Sequence, residues 1–172
     1  MAEIAVFIER YTVSSSEEMG ALMRFGQAAQ KLGHRLDVLF RSDMYKIPEY
    51  DALFIRSLTD PLNSAYVAAR TAQLHGLRVV DDPDSIFICC DKVNMYRHLQ
   101  KAGVPMPETR FLTEADLTLE KGELLFHEMG SPLVLKAPNS SFSMYVERVN
   151  TPKDFVKTGK RFLRRADRIV VQ

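Results

Sequence analysis

The spacing of apolar and polar positions changes character several times along the chain. Ile4 to Ile8 are five consecutive apolar residues. A run with so little polar interruption predicts a strand covered on both faces. In the following segment, YTVSSSEEMGALMRFGQAAQKLG, Met19, Leu22, Met23, Gly26 and Ala29 fall at helical spacing. Ser14 with Glu17, or Ser15 with Glu18, supplies a capping box, and Gly33 suits the position just past the helix end. The Met19/Met23 stripe reads as core packing rather than a cofactor contact. Leu36, Val38 and Phe40 alternate in a second strand, Arg35 to Phe40, and ALFIR, Ala52 to Arg56, fits a third. Asp60-Pro61 suits the N-cap and first position of a helix reaching about Leu74. Gly76 ends it, and Arg78 to Val80 form a fourth strand. Strands alternating with helices predict a small open parallel sheet, Rossmann-like, over residues 1 to about 85.

Beyond residue 85 the pattern is different. PDSIFICCDKVNMYRHLQKAGVPMPET predicts an apolar helix with Val93, Tyr96 and Leu99 on one face, closed by Gly103. Pro105 and Pro107 force an extended exit. A short strand, Thr109 to Leu112, precedes a helical stretch, Leu124 to Met129. SPLVLKAP reads as a strand, Pro132 to Ala137, and MYVERV as its return. Thr151 and Pro152 open a further helix as N-cap and first position. Arg168 to Val171 form a last strand. The domains expected are therefore 1–85, an α/β domain, and 86–172, a smaller mixed α/β unit.

Composition narrows the class. The 172 residues are 46% hydrophobic and 26% charged, which excludes a largely disordered chain, a collagen or a disulfide scaffold. The net charge of +1 gives no global case for nucleic acid or an acidic membrane as obligatory partner. The only cysteines, Cys89 and Cys90, are adjacent, which suits neither a bridge nor zinc, and points to a reducing cytoplasm. They are expected to pack in the apolar helix. The opening residues lack the apolar core of a secretory signal, and no run approaches the length of a membrane span. His34, His75, His98 and His127 show no metal spacing.

Candidate chemistry centres on two lysines. Lys92 opens a helix behind an acidic loop. Lys136 lies in an otherwise apolar strand and must reach a carboxylate, a phosphate or solvent; the plainest account is an edge lysine that snorkels. The polar loop Asn139, Ser140, Ser141, Phe142 and Ser143 follows, with hydroxyls and amides suited to cradling phosphates. No glycine lies between Gly130 and Gly159 to ease a close approach. In the first half the glycine-rich dinucleotide fingerprint is absent, since the first glycine past strand one is Gly20. Arg10, Tyr11, Arg56 and Ser57 follow strand ends and are the default polar contacts there.

Taken in order, VVDDPDSIFICCDKVNMYRHLQKAGVPMPET and GSPLVLKAPNSSFSMYVERV resemble the ATP-grasp superfamily of ATP-dependent carboxylate–amine ligases, especially its RimK-like branch. The resemblance covers essentially the whole chain and implies a pre-ATP-grasp α/β domain followed by the ATP-grasp small subdomain. It implies that Lys92 reaches the nucleotide phosphates and that Lys136 contacts the α-phosphate region and the adenine edge. Asn139 to Ser143 match the mobile loop that folds over the phosphates. The pattern departs at Met144-Tyr145, where similar proteins usually carry glycine; tyrosine takes a positive φ only at a cost. The implied reaction passes through an acyl phosphate, with ATP, magnesium and an amino-acid or peptide-like carboxylate substrate. The magnesium ligands and acceptor-binding groups are expected beyond residue 172. The chain is thereby expected to be the amino-terminal portion of a ligase, inactive alone, with an exposed apolar face that a homodimer would cover.

Two other function classes fit some of the residues. One is a non-catalytic nucleotide-binding or regulatory module, favoured by the glycine-poor loop. The other is a nucleic-acid-binding module. Residues 153 to 168 hold Lys153, Lys157, Lys160, Arg161, Arg164, Arg165 and Arg168 against Asp154 and Asp167. A solvated basic helix face explains the same residues.

Overall fold

The computed structural model describes residues 1–140 and 144–172. The chain divides into two compact units, Met1–Phe87 and Ile88–Gln172. Among the described residues, no helix is long and apolar enough to cross a membrane.

The first unit holds β1 (Glu3–Phe7), a short α1 (Arg10–Val13), α2 (Ser16–Lys31), β2 (Arg35–Leu39), β3 (Ala52–Ile55), α3 (Ser64–Leu74), β4 (Arg78–Val80) and the start of α4 (Pro83–Cys89). Its four strands are parallel in the order β2-β1-β3-β4. The run of apolar residues in β1 has a direct cause. Alternate side chains of a strand point to opposite faces. Ala5 and Phe7 join Leu39, Leu53 and Ile55 under α3, while Val6 and Ile8 pack with Leu22 of α2. Ala65, Ala68, Ala69 and Ala72 give α3 a smooth, wholly buried face that lies flat on the sheet.

Local chemistry sets the helix ends, not always where the pattern suggests. Of the two capping serines it is Ser15 that caps α2, accepting from the Glu18 N–H at 3.3 Å. The helix expected from Asp60 starts three residues later. Asp60 spends its carboxylate on the Leu62 N–H in a tight turn, and Asn63 takes the N-cap, accepting from the Tyr66 N–H at 3.2 Å. The methionine stripe is only half right: Met19 packs against the core, but Met23 is exposed.

The second unit holds α5 (Lys92–Lys101), β5 (Arg110–Leu112), α6 (Leu119–Met129), β6 (Leu133–Lys136), β7 (Val146–Val149), α7 (Pro152–Leu163) and β8 (Ile169–Val171). Where the apolar pattern predicts one helix there are two. The break falls at Cys90-Asp91, because Asp91 turns from helix interior to cap and accepts from the Asn94 N–H at 2.8 Å. The cysteines therefore sit at the end of α4, with Cys89 exposed rather than packed. The antiparallel sheet runs β5-β8-β6-β7. Leu133 and Leu135 of β6 face a core built with Leu125 of α6, Phe155 and Phe162 of α7, and Ile169 and Val171. Gly122 lets α6 approach α7: a Cβ there would lie 3.0 Å from the Phe155 ring and 3.2 Å from the Pro152 Cα.

Candidate functional site

Strand geometry puts Lys136 to use. Leu133 and Leu135 point into the core, so Val134 and Lys136 emerge on the opposite face. β6 lies between β8 and β7, so Lys136 is not an edge lysine. Its ammonium donates to the Tyr96 hydroxyl at 2.9 Å and to Gln172 Oε1 at 2.6 Å. It also lies 5.3 Å from the centre of the Tyr96 ring, within cation–π range. The Tyr96 hydroxyl completes the triangle to Gln172 Oε1 at 3.4 Å. Gln172 Nε2 donates to Thr109 Oγ1 at 2.9 Å, and that hydroxyl donates to the Pro107 carbonyl at 2.8 Å. Reciprocal backbone bonds between Gln172 and Val134 fix where the amide stands. Among the described residues, Lys136 is held by a hydroxyl and an amide oxygen rather than a carboxylate.

Lys92 is the first residue of α5. Its backbone N–H donates to the Pro138 carbonyl at 3.2 Å. Its ammonium donates to the same carbonyl at 3.3 Å, to the Ser140 carbonyl at 2.5 Å and to Ser140 Oγ at 2.9 Å. Burial lowers the Lys92 pKa from its ordinary value, the neighbouring Lys136 charge lowers it further, and Asp91 opposes both. Two cations from different elements thus lie within electrostatic reach, with neutral oxygens as their partners. Such a place has an unmet demand for negative charge.

Of the residues expected at this site, Lys92 is bonded to Ser140 and lies within electrostatic reach of Lys136. Asn139 is exposed at the mouth of a neighbouring cleft. Ser141, Phe142 and Ser143 lie outside the described residues. Three members were not anticipated as polar contacts. Tyr96 was legible only as a member of an apolar helix face, and Thr109 and Gln172 carried no signal, because only strand pairing unites them.

Tyr145, where a glycine is usual in similar proteins, does adopt the left-handed conformation, with φ of 57°. Among the described residues it is the one non-glycine that does so. Tertiary contacts hold it there: its ring meets Phe162 edge-on at 5.8 Å, the Arg165 guanidinium lies 5.0 Å from the ring centre, and its carbonyl accepts from the Ala137 N–H at 2.9 Å. The backbone cost is about 1–2 kcal/mol. Tyr145→Ala and Tyr145→Gly both lose the ring, but only glycine relieves the backbone. Glycine's larger unfolded-state entropy offsets part of that relief. Tyr145→Gly is therefore expected to be the more stable of the two by about 1 kcal/mol in denaturant unfolding. Equal stabilities would show that the turn stores no strain.

The crevice of the first unit is less available. The Tyr11 hydroxyl accepts from the Leu58 N–H at 2.9 Å, and Arg56 pairs with Glu18 at 2.8 Å. Both are occupied within the fold, while Ser57 Oγ is buried without a partner. On α7, Phe155, Thr158, Gly159 and Phe162 are buried and the lysines and arginines face outward, as a solvated basic face would.

No family model matches the sequence. The glutamate–LysW ligase of Sulfolobus acidocaldarius is 26% identical over 100 residues, which is 58% of this chain and 33% of that protein. A probable α-L-glutamate ligase of Vibrio vulnificus is 23% identical across 93% of this chain and 57% of its own length. Among solved structures, a RimK-domain ATP-grasp protein of Sphaerobacter thermophilus covers 99% of this chain and 63% of its own, with a TM-score of 0.64 and 22% identity. The D-alanine–D-alanine ligase of Bacillus anthracis complexed with ATP covers 100% and 58%, with a TM-score of 0.65 and 18% identity. The chain spans only 33% to 63% of the length of these proteins. The chain repeats the fold of the solved ATP-grasp proteins over nearly its whole length, and the curated proteins it resembles in sequence are named as glutamate ligases.

Proposed function

We propose that the second unit is the phosphate-binding half of an ATP site in an ATP-dependent carboxylate–amine ligase, and that these 172 residues are a portion of that enzyme which does not ligate alone. The observation behind this reading is the Lys92 ammonium held on Ser140 within electrostatic reach of the Lys136 ammonium, each with neutral oxygens as hydrogen-bond partners. Lysines positioned this way can exchange carbonyl and amide partners for phosphate oxygens, where charge-assisted bonds are stronger. ATP would supply the phosphoryl group that activates a carboxylate for attack by an amine. The chain's own share is to bind and orient: Tyr96 and Gln172 aim Lys136, and the Pro138–Ser140 backbone aims Lys92. The relatives are named for ligating glutamate, which makes an amino acid or a peptide-like carboxylate the expected substrate class. Among the described residues no group of three or more His, Cys, Asp or Glu could hold a metal ion.

If the two lysines serve phosphates, affinity follows phosphate charge. Calorimetry on the 172-residue chain is expected to give ATP binding at least about tenfold tighter than adenosine, the equivalent of one charge-assisted bond. Equal affinities for ATP and adenosine would remove this reading.

A further inference from the structure

A second feature of the same unit adjoins the Lys92–Lys136 site, sharing Pro138 with it but including neither lysine. An open cleft of about 700 Å³ runs between the start of α5, the Pro138-Asn139 turn and the loop joining α7 to β8. Four arginines line it: Arg97 from α5, and Arg164, Arg165 and Arg168 from the loop. All four are exposed, and none forms an ion pair among the described residues. Two are braced by aromatic rings instead of carboxylates. The Arg97 guanidinium lies 5.3 Å from the centre of Phe111, and that of Arg165 lies 5.0 Å from Tyr145. A guanidinium stacked on a ring is held in orientation while its N–H edge stays open to acceptors. The cleft also contains Asp91 and Asp167. Asp91 is engaged, capping α5 through the Asn94 N–H.

We propose that this cleft is an anion site for a compact oligophosphate, beside the nucleotide site but built on different cations, and beyond the ligase reading. The density of donors points to phosphate. Each arginine offers five N–H groups, so four in one cleft exceed what isolated carboxylates satisfy. A phosphate group brings up to two charges and three acceptor oxygens to one centre, and guanidinium forks match it bidentately. The adjoining cleft of about 500 Å³, which shares Arg164, is a poorer candidate. There Arg161 is already paired with Glu147, and Asp154 adds a further negative charge. A nucleic-acid strand tracking along α7 would need both clefts, including Lys157 and Lys160 of the second; a compact ligand needs only the first.

Tripolyphosphate is the probe, titrated calorimetrically into the 172-residue chain at low salt. Saturable one-to-one binding is expected. Arg164→Glu/Arg168→Glu should weaken it at least about tenfold, and Arg97→Gln, on a separate element, severalfold. Lys136→Ala should leave it within about twofold, and the arginine variants should keep the parent melting temperature, since the substituted arginines are exposed. Competition separates the sources of the phosphate. A ribonucleoside 5′-triphosphate still displacing the probe from Lys136→Ala identifies a nucleotide tail, and tripolyphosphate outcompeting it identifies a free oligophosphate; both support the site. Three results overturn it: no saturable binding, affinity lost with Lys92 or Lys136 rather than with the arginines, or hexaglutamate competing as well as tripolyphosphate. An oligonucleotide that binds through Lys157 and Lys160 and outcompetes the probe also overturns it. Unchanged ATP affinity in Lys92→Ala and Lys136→Ala would remove the nucleotide reading and leave this site standing, because the two rest on different side chains.

Discussion

Lys136→Ala and Lys92→Ala are each expected to weaken ATP binding roughly 10- to 150-fold in the complete enzyme. A charge-assisted hydrogen bond is worth about 1.5–3 kcal/mol, and that converts to the stated range. The fold should survive both changes. Without the Lys136 ammonium, the Tyr96 hydroxyl and Gln172 Oε1 still face each other at 3.4 Å. Without the Lys92 side chain, the Pro138 carbonyl still accepts from the residue-92 N–H. The two changes should not be additive, because each lysine shapes the other's surroundings. Lys92 has a lowered pKa from burial and from the charge of Lys136. Removing Lys136 therefore raises the Lys92 pKa and leaves the remaining cation more firmly protonated. The sign for stability follows from the same shift. A lysine whose folded pKa lies below its unfolded value holds fewer protons when folded. The free chain should thus gain stability as pH rises through the folded value toward the unfolded value of 10.5. Bound phosphate reverses this by favouring the charged form. Nucleotide affinity unchanged in both variants would reduce the two lysines to structural cations.

The sequence foretold what depends on local pattern. The parallel sheet was legible because β1 is apolar on both faces, as Ala5 and Phe7 on one side and Val6 and Ile8 on the other require. The caps at Thr151 and Gly33, and Ser15 as one of two candidates, were legible because they rest on neighbouring residues. Other features depend on distant partners. Lys136 could be seen to be out of place in an apolar strand. That its strand is interior, and that Tyr96, Gln172 and Thr109 surround it, is set by pairing Leu135 with Val171 and by α5 lying across that face. Tyr145 illustrates the limit of local rules. Its side chain disfavours a positive φ, yet contacts with Phe162 and Arg165 impose one. Asn63 and Asp60 compete for the same helix start, and the side chain left over from the turn wins.

Amide ligation by these 172 residues alone is expected to be absent, at least about a thousandfold below that of a completed enzyme. Phosphoryl transfer relies on charge neutralisation around the phosphates, and metal ions and positioned donors supply most of it. On the function proposed above two lysines would supply a part, and among the described residues no group of three or more His, Cys, Asp or Glu could hold a metal ion. The chain also spans only 57% of the Vibrio vulnificus relative and 63% of the Sphaerobacter thermophilus structure. A half-built pocket covers less of the nucleotide, so ATP affinity should fall in the range of about 0.1 mM to several mM. The decisive comparison uses two chains. One is residues 1–172; the other joins to it the part of the Vibrio vulnificus ligase that this chain does not cover. Both are assayed with ATP, a magnesium salt, glutamate and a panel of amines, with amide product followed by mass spectrometry. Product from the joined chain, lost again in Lys92→Ala and Lys136→Ala, would place both lysines in a working ligase. Robust amide formation by the 172-residue chain alone would show that the catalytic groups lie within it, and would overturn the division of labour proposed for its two lysines.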